Sequence, residues 1–355
     1  MVDFAGWSMP VQYSSIVAEH QATRRAGGLF DVSHMGRIRF DGPGAAAFLD
    51  SLLTRRVLDM KPGQVRYGLV TNETGGILDD VLVYRIADQS GEDYHVLVVN
   101  ASNREKILAW IDSRLPTSRD FQHYDVTKVS AMIAVQGPLA LQIVQPLVAA
   151  KLDSLKYYSA VETIVTTKFG GTTIIASRTG YTGEDGCELL LPSNIAAEVW
   201  EKTLAAGKDR GVMAAGLGCR DTLRLEAAMP LYGHELNESI SPIQAGLNFA
   251  VNLEGRTFPG RDVLVGQKQN PPVQRRVGLQ LEGKRVPREG YAVLSDGQNV
   301  GVVTSGTYSP TLDRPIAMAY VNGDVVNSAA ALAVDIRGQA VAANVVPLPF
   351  YRRSQ

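Results

Sequence analysis

Two adjacent carboxylates at the start of an apolar stretch are the first candidates for chemistry in this sequence. Asp79 and Asp80 close the segment TNETGGILDD (71–80), in which two glycines lead into a predicted strand. Because side chains alternate between the two faces of a strand, one of these acids is expected to point into the interior. A buried carboxylate is costly unless a partner or a function compensates for it. Taken alone, the segment also fits a solvated turn before a strand, which is the commoner arrangement.

A third carboxylate and two arginines lie in two further segments. Glu188 falls inside the predicted strand CELLL, directly after the Gly-rich loop 179–186, and an acid in a strand interior needs a partner or a role. Arg220 and Arg224 are four residues apart, which places them on one face of a predicted helix. Such a pair can form a structural salt-bridge ladder or clamp a carboxylate of a ligand, and the spacing is compatible with both.

The sequence contains no recognised motif for nucleotide binding or metal binding. The chain has neither GxxxxGK[ST] nor a GxGxxG in a βαβ unit, so nucleotide binding is unsupported. The five histidines show no HExxH spacing, and the two cysteines, Cys187 and Cys219, are far apart. We therefore expect no metal site and two reduced, buried thiols.

The charge balance limits the classes of partner. Thirty-five Lys and Arg face 36 Asp and Glu, a formal net charge of −1, so nucleic acid and anionic membranes are not expected as partners. No apolar run reaches the ~20 residues of a transmembrane helix. The start MVDFAGWSMP has neither the basic residues nor the apolar stretch of a secretory signal. These features predict a cytoplasmic protein, although a mature organellar protein would have the same composition.

The elements that must position the candidate residues alternate between strands and helices up to about residue 255. Strands are predicted over 36–40, 77–86, 93–100, 129–136, 162–169, 172–178 and 187–191. Helices are predicted over 45–53, 102–115, from Gly137-Pro138 to about Ala150, and over 194–207. Asn100 or Ser102 could cap the second helix, and Gly170-Gly171 is expected to form the turn of a hairpin.

The pattern changes near residue 255. From there the chain consists of short β-runs separated by turn residues, namely RRVGLQL, YAVLS, VGVVTS, AMAYV, ALAVDI and VAANVV. Such spacing without helical periods is typical of a small antiparallel barrel or sandwich. The sequence thus predicts an α+β protein with an all-β C-terminal domain.

Six segments, in this order, resemble the motif series of the glycine cleavage T-protein family. They are MVDFAGWSMPVQYSSIVAEH, GLFDVSHMGRI, GGILDD, SRTGYTGEDGCEL, GLGCRDTLRLEAAMPLYG and VTSGTYSPTL, and the resemblance covers essentially residues 1–355. It implies a three-domain clover leaf around a folate channel. The implied domains are residues 1–40 with 128–255, residues 41–127, and a C-terminal β-barrel domain over 256–355.

The resemblance also implies roles for particular residues. Asp80 matches the family's essential aspartate close to folate N10, Glu188 matches the glutamate that binds the pterin edge, and Arg220 matches a folate-contacting arginine. Tyr67 and Val98 occupy positions that line the pterin pocket, and Phe249 stands where relatives often carry tryptophan.

The implied activity is that of an aminomethyltransferase. A methylene carbon passes from the aminomethyl-lipoyl arm of the H-protein to the co-substrate tetrahydrofolate, giving 5,10-methylenetetrahydrofolate, ammonia and the dihydrolipoyl arm, without a metal. The alternatives are a folate-dependent demethylase of the same superfamily, a folate-binding iron–sulfur maturation factor and a non-catalytic subunit of the cleavage complex. The maturation factors carry KGCYxGQ where this chain has RTGYTGE, with Gly180 in place of the cysteine. A flavoenzyme half would need a dinucleotide fold upstream, and no GxGxxG is present.

Overall fold

The computed structural model describes residues 1–328 and 331–353. Its strands are β1 Val2–Phe4, β2 Trp7–Met9, β3 Gly27–Asp31, β4 Gly36–Asp41, β5 Val65–Thr71, β6 Ile77–Ala87, β7 Asp93–Val99, β8 Gln122–Asp125, β9 Ser130–Gln136, β10 Ala160–Thr167, β11 Gly170–Ser177, β12 Gly186–Pro192, β13 Val212–Ala214, β14 Gln274–Leu281, β15 Ala292–Ser295, β16 Gln298–Ser309, β17 Arg314–Asn322, β18 Leu332–Asp335 and β19 Ala340–Val346. Its helices are α1 Ile16–Arg25, α2 Ala45–Leu52, α3 Arg104–Asp112, α4 Ala140–Val144, α5 Ala196–Gly207, α6 Leu217–Glu226, α7 Arg261–Gln269 and α8 Gly323–Asn327.

The strands form two open sheets, a closed barrel and a small hairpin. One sheet has the order β10-β11-β12-β9-β3-β13, and the other has the order β5-β6-β7-β4-β8. The barrel runs β14-β17-β16-β15-β18-β19 and closes where β14 pairs with β19. The predicted α+β class and the C-terminal barrel are therefore confirmed, with α7 and the short α8 as additional helices in that part of the chain.

The two open sheets face each other across a shared apolar layer. Met132 of β9 and Phe30 of β3 pack there with Val96 and Val98 of β7. The alternate residues of the same strands face outward: Ile133 belongs to the core beneath helices α4 and α5. Period-two alternation thus decides which side chains reach the space between the sheets.

That alternation places two of the candidate acids on the facing sides. In β12, Cys187 and Leu189 point to the outer core, whereas Glu188 and Leu190 point to the inner layer. In β6, Val81 and Val83 belong to the core that α2 and α3 cover, which leaves Asp80 on the inner side together with Leu82 and Tyr84. Asp80 and Glu188 therefore approach the same space from opposite sheets.

Buried ion pairs connect the barrel to the six-stranded sheet. The Arg24 guanidinium of α1 contacts Glu184 at 2.9 Å and Glu226 at 2.8 Å. Glu226 in turn accepts hydrogen bonds from Ser309, the last residue of the barrel strand β16, and from Thr311. Burial raises the pKa of Glu226, but the contact with His20, the Arg24 charge and the Ser309 hydrogen bond outweigh burial and hold the pKa at about 2.

Two local predictions are wrong. The helix expected from Gly137 to about Ala150 reduces to α4, because Pro146 has no N–H for a continuing α-helix and the chain tightens into a short turn over Gln145–Leu147. The hairpin turn lies at Lys168 and Phe169, since Thr167 pairs with Gly170 and the glycines begin strand β11.

The division into three domains stays a prediction, but the predicted bound between residues 40 and 41 falls inside strand β4. Residue 40 lies inside β4, which pairs with β7 and β8, so this strand belongs to the five-stranded sheet. Within the residues that the structure describes, helices of sufficient length and hydrophobicity to cross a membrane are absent. The cytoplasmic location stays a prediction.

Candidate functional site

A cavity of about 790 Å³ lies where the two open sheets, helix α6 and the barrel meet. All six residues to which the family resemblance gives roles line this cavity, namely Tyr67, Asp80, Val98, Glu188, Arg220 and Phe249. They come from β5, β6, β7, β12, α6 and the loop before α7, so the fold gathers residues from distant parts of the chain. Their roles stay predictions.

The adjacent carboxylates separate as strand alternation requires. Asp79 is 0 % exposed and lies outside the cavity wall, whereas Asp80 lines it. Asp79 accepts hydrogen bonds from the Asn100 amide at 2.8 Å and from the Asn103 amide at 2.6 Å. The Asn100 backbone N–H donates to its second oxygen at 3.0 Å.

The Asp80 carboxylate also has donors on both oxygens. The Asn100 amide donates to Oδ1 at 2.7 Å, and the Tyr67 hydroxyl donates to Oδ2 at 3.2 Å. Burial raises the pKa of both Asp79 and Asp80 above the usual range for aspartate, and the Asp80 charge raises the pKa of Asp79 further. The donors oppose this shift because they stabilise the ionised forms. A cavity-facing carboxyl with a raised pKa is suited to exchange protons with a bound ligand.

Two aromatic rings form one part of the wall beside Asp80. The Tyr67 and Phe249 rings stack with centroids 5.9 Å apart. Phe249 is 63 % exposed, so this stack lies at an opening of the cavity. Val98 supplies an apolar surface from the neighbouring strand β7.

Glu188 is a buried acceptor at the opposite wall. Its strand pairs Glu188 with Ala134 of β9 and with Ser177 of β11, which holds the side chain in a central position of the sheet. The Thr179 hydroxyl donates a hydrogen bond to Oε2. Burial raises the pKa of Glu188, while the Thr179 hydrogen bond and the Arg220 charge lower it. Within residues 1–328 and 331–353, no hydrogen bond reaches the other oxygen, and Glu188 lines the cavity.

The two arginines of α6 have different surroundings. Arg224 forms ion pairs with Asp221 at 2.8 Å and with Glu235 at 2.9 Å. For Arg224, the structural salt bridge is therefore the correct alternative, rather than the ligand clamp. The Arg220 guanidinium has no hydrogen-bond partner among residues 1–328 and 331–353, and it lies 4.7 Å from the centre of the Tyr181 ring. Burial lowers the pKa of Arg220, and the Glu188 charge opposes this. An arginine without a carboxylate partner in a cavity is suited to bind an anionic or carbonyl group of a ligand.

Two further residues of the wall, Asn100 and His34, are not among the predicted site residues. The sequence predicts Asn100 as a possible helix cap, but its side chain makes no cap hydrogen bond and binds the two aspartates instead. His34 lines the cavity with its ring edge-on to Phe4 at 5.3 Å, and burial lowers its pKa to about 3. The contacts of both side chains are to residues far away in sequence, which no local motif could have indicated.

Two further observations concern metals and thiols. Across the described parts of the chain, His, Cys, Asp and Glu side chains form no cluster of three that could hold a metal ion. Cys187 and Cys219 are free and buried, and burial raises the pKa of each thiol to about 12. Such thiols are poor nucleophiles, because the reactive form is the thiolate.

Comparison with known proteins gives consistent similarities over the whole chain. Residues 1–255 match the GCVT N-terminal domain, and residues 274–352 match the glycine cleavage T-protein C-terminal barrel domain. The chain is 47 % identical over 355 residues to an aminomethyltransferase of Geobacillus kaustophilus, covering 100 % of this chain and 95 % of the relative. It is 46 % identical over 353 residues to an aminomethyltransferase of Moorella thermoacetica, covering 99 % and 94 %. The crystal structure of glycine cleavage system aminomethyltransferase T from Bartonella henselae superposes with a TM-score of 0.89 at 34 % identity, covering 99 % of this chain and 93 % of that one.

Proposed function

Because the chain belongs to the glycine cleavage T-protein family, we propose that its cavity binds tetrahydrofolate between Glu188 and Asp80 and receives the lipoyl arm of the H-protein. The chain is an aminomethyltransferase, a folate-dependent one-carbon transferase. The observation that supports the proposal is that one cavity holds a buried carboxylate acceptor, a guanidinium without a carboxylate partner and a second carboxyl group with a raised pKa.

Glu188 and Arg220 are the residues that we assign to folate binding. A pterin presents an amino group and a ring N–H along one edge, and an ionised carboxylate such as Glu188 can accept hydrogen bonds from both. Arg220 lies close enough to Glu188 for its charge to lower the Glu188 pKa, so it helps to keep that carboxylate ionised. Tyr67, Val98 and Phe249 provide the apolar surface against which a flat ring system packs.

Asp80 is the residue that we assign to proton transfer. In the reaction the methylene carbon forms bonds to two folate nitrogens, its bond to the lipoyl sulfur breaks, and ammonia leaves. The folate nitrogens lose two protons, of which one goes to the departing amine and one to the sulfur. A carboxyl group close to N10 can take up and release such a proton, and it contributes about 10²–10⁴-fold to rate in comparable cases. Holding folate and the lipoyl arm together in one cavity accounts for much of the remaining acceleration.

The structure also bears on the iron–sulfur maturation alternative. Gly180 lies in the cavity wall, and a Cβ atom at this position would come within 1.8 Å of the Gln136 side-chain oxygen. The Gln136 amide donates to the Thr179 carbonyl at 3.0 Å, and its oxygen accepts from Thr182 at 3.0 Å. The cysteine of the maturation factors therefore has no space here unless this buried side chain moves.

A comparison of carbon donors tests the proposed function. We expect aminomethyl-loaded, lipoylated H-protein to support transfer to tetrahydrofolate, with free aminomethyl-lipoate derivatives at least about tenfold lower in kcat/KM, because they lose the contribution of docking to effective concentration. A small sulfonium or methylamine is offered in a parallel reaction with the same folate. Activity with the small methyl donor alone would contradict the proposal and would indicate a demethylase.

A further inference from the structure

The amide of Asn100 joins two carboxylates that differ in their exposure to the cavity. Asn100 follows strand β7 and lies opposite Asp79 and Asp80 of strand β6. Its Nδ2 atom is 2.8 Å from Asp79 Oδ1 and 2.7 Å from Asp80 Oδ1. An amide nitrogen carries two hydrogens, so one is available for each carboxylate.

The position of Asp79 explains why such a bridge is needed. Asp79 is fully buried behind the cavity wall, where three N–H donors from Asn100 and Asn103 stabilise its ionised form. The two adjacent carboxylates disfavour a second negative charge on the pair, and the Asp80 charge raises the pKa of Asp79. A donor shared between the two carboxylates offsets that repulsion and holds them in a fixed orientation.

The other groups that face Asp80 from neighbouring elements are mainly neutral. Tyr67 of β5, Tyr158 of the loop before β10 and Tyr181 of the loop before β12 surround it, and burial raises the pKa of each phenol. Arg276 of β14 acts on Tyr67 from the barrel side. Among the described residues, Asn100 and Tyr67 donate side-chain hydrogen bonds to Asp80 that lower its pKa, and Asn100 has the larger effect of the two.

We infer that Asn100 is a positioning residue for the transfer reaction, because its amide bridge orients the Asp80 carboxylate toward the cavity and keeps it able to accept a proton. The inference rests on the proposed function, since Asp80 takes part in chemistry only if folate binds in this cavity. Asn103 contacts Asp79 but not Asp80, so it belongs to the support of Asp79 alone.

The test is the pH dependence of kcat in Asn100→Ala, with Asn103→Ala as the matched variant. Removing the Asn100 donor destabilises the Asp80 anion, so the acid limb of the profile should move to higher pH by about one unit, which lowers kcat up to about tenfold on the acid side of the limb. Asn103→Ala removes a donor from Asp79 only. The resulting rise in the proton affinity of Asp79 reduces the repulsion on Asp80, so its acid limb should stay in place or move to lower pH.

A second variant and a second measurement separate this effect from misfolding and from the proposed function. Asn100→Asp keeps the side-chain volume but replaces the donor by a carboxylate, so it should shift the limb at least as far to higher pH. Titration of the Asp80 carboxyl by ¹³C NMR, assigned by the signal lost in Asp80→Asn, reports the same shift without turnover. An inactive wild-type enzyme would contradict the proposed function only. An unchanged Asp80 titration in both Asn100 variants, or an equal upward shift in Asn103→Ala, would overturn the inference about Asn100.

Discussion

Asp80→Asn is expected to lower turnover at least about 100-fold while leaving tetrahydrofolate affinity largely intact. The amide keeps the shape of the carboxylate and can still contact Tyr67, but it cannot accept a proton from a folate nitrogen. Asp80 lines the cavity, and burial raises its pKa toward the range in which it exchanges protons. Single-turnover kinetics and calorimetric titration with tetrahydrofolate measure the two quantities separately.

Asp262→Asn is the matched control for this change, because the Asp262 side chain is 92 % exposed on α7. It should retain wild-type turnover. Asp79→Asn is expected to lower turnover less than Asp80→Asn does, because Asp79 faces away from the cavity. It should lower the melting temperature, because the new amide group would lie opposite three N–H donors. Near-wild-type turnover of Asp80→Asn would remove the assignment of Asp80 to proton transfer.

Glu188→Ala and Arg220→Ala are expected to weaken tetrahydrofolate binding rather than the chemical step. Each removes a charge-assisted contact to the ligand, for which roughly 1.5–3 kcal/mol is typical, or about 10–150-fold in Kd. Calorimetric titration of the two variants measures the loss directly. Glu188→Gln is the informative companion: it keeps one acceptor oxygen, so its affinity should fall between those of the wild type and Glu188→Ala.

The two substitutions also report on each other. Glu188 and Arg220 influence each other's charge, so the double variant should lose less affinity than the sum of the single losses. Unchanged affinity in both single variants would refute the assignment of this cavity as the folate site.

Strand patterning was the most informative feature of the sequence. The alternation of GGILDD correctly separates Asp79 from Asp80, and the apolar neighbours of Glu188 correctly indicate an acid in the interior of a sheet. The all-β C-terminal domain was predictable because its short strands and turn residues recur without helical periods; this pattern fits a barrel or a sandwich, and the family resemblance indicated the barrel. These signals are local, and the structure preserves them.

What could not be predicted depends on contacts between distant segments. The spacing of Arg220 and Arg224 does not show which of the two faces the cavity and which forms structural contacts. The partners of Arg224 are distant in sequence: Glu235 lies in a loop, and Ser305 lies in the barrel. Helix α1 was not predicted because its buried face consists of polar residues, among them Glu19, His20 and Arg24. Such a face has no apolar period, and its burial depends on the ion pairs with Glu184 and Glu226.

The most direct measurement is the product balance of one reaction, with purified enzyme, aminomethyl-loaded lipoylated H-protein and tetrahydrofolate. If one cavity binds folate and transfers the carbon, 5,10-methylenetetrahydrofolate and ammonia should appear in equal amounts. Both should require folate and the loaded carrier together. Ammonia release at the same rate without folate would contradict the account, as would the absence of methylenetetrahydrofolate from an enzyme that binds tetrahydrofolate.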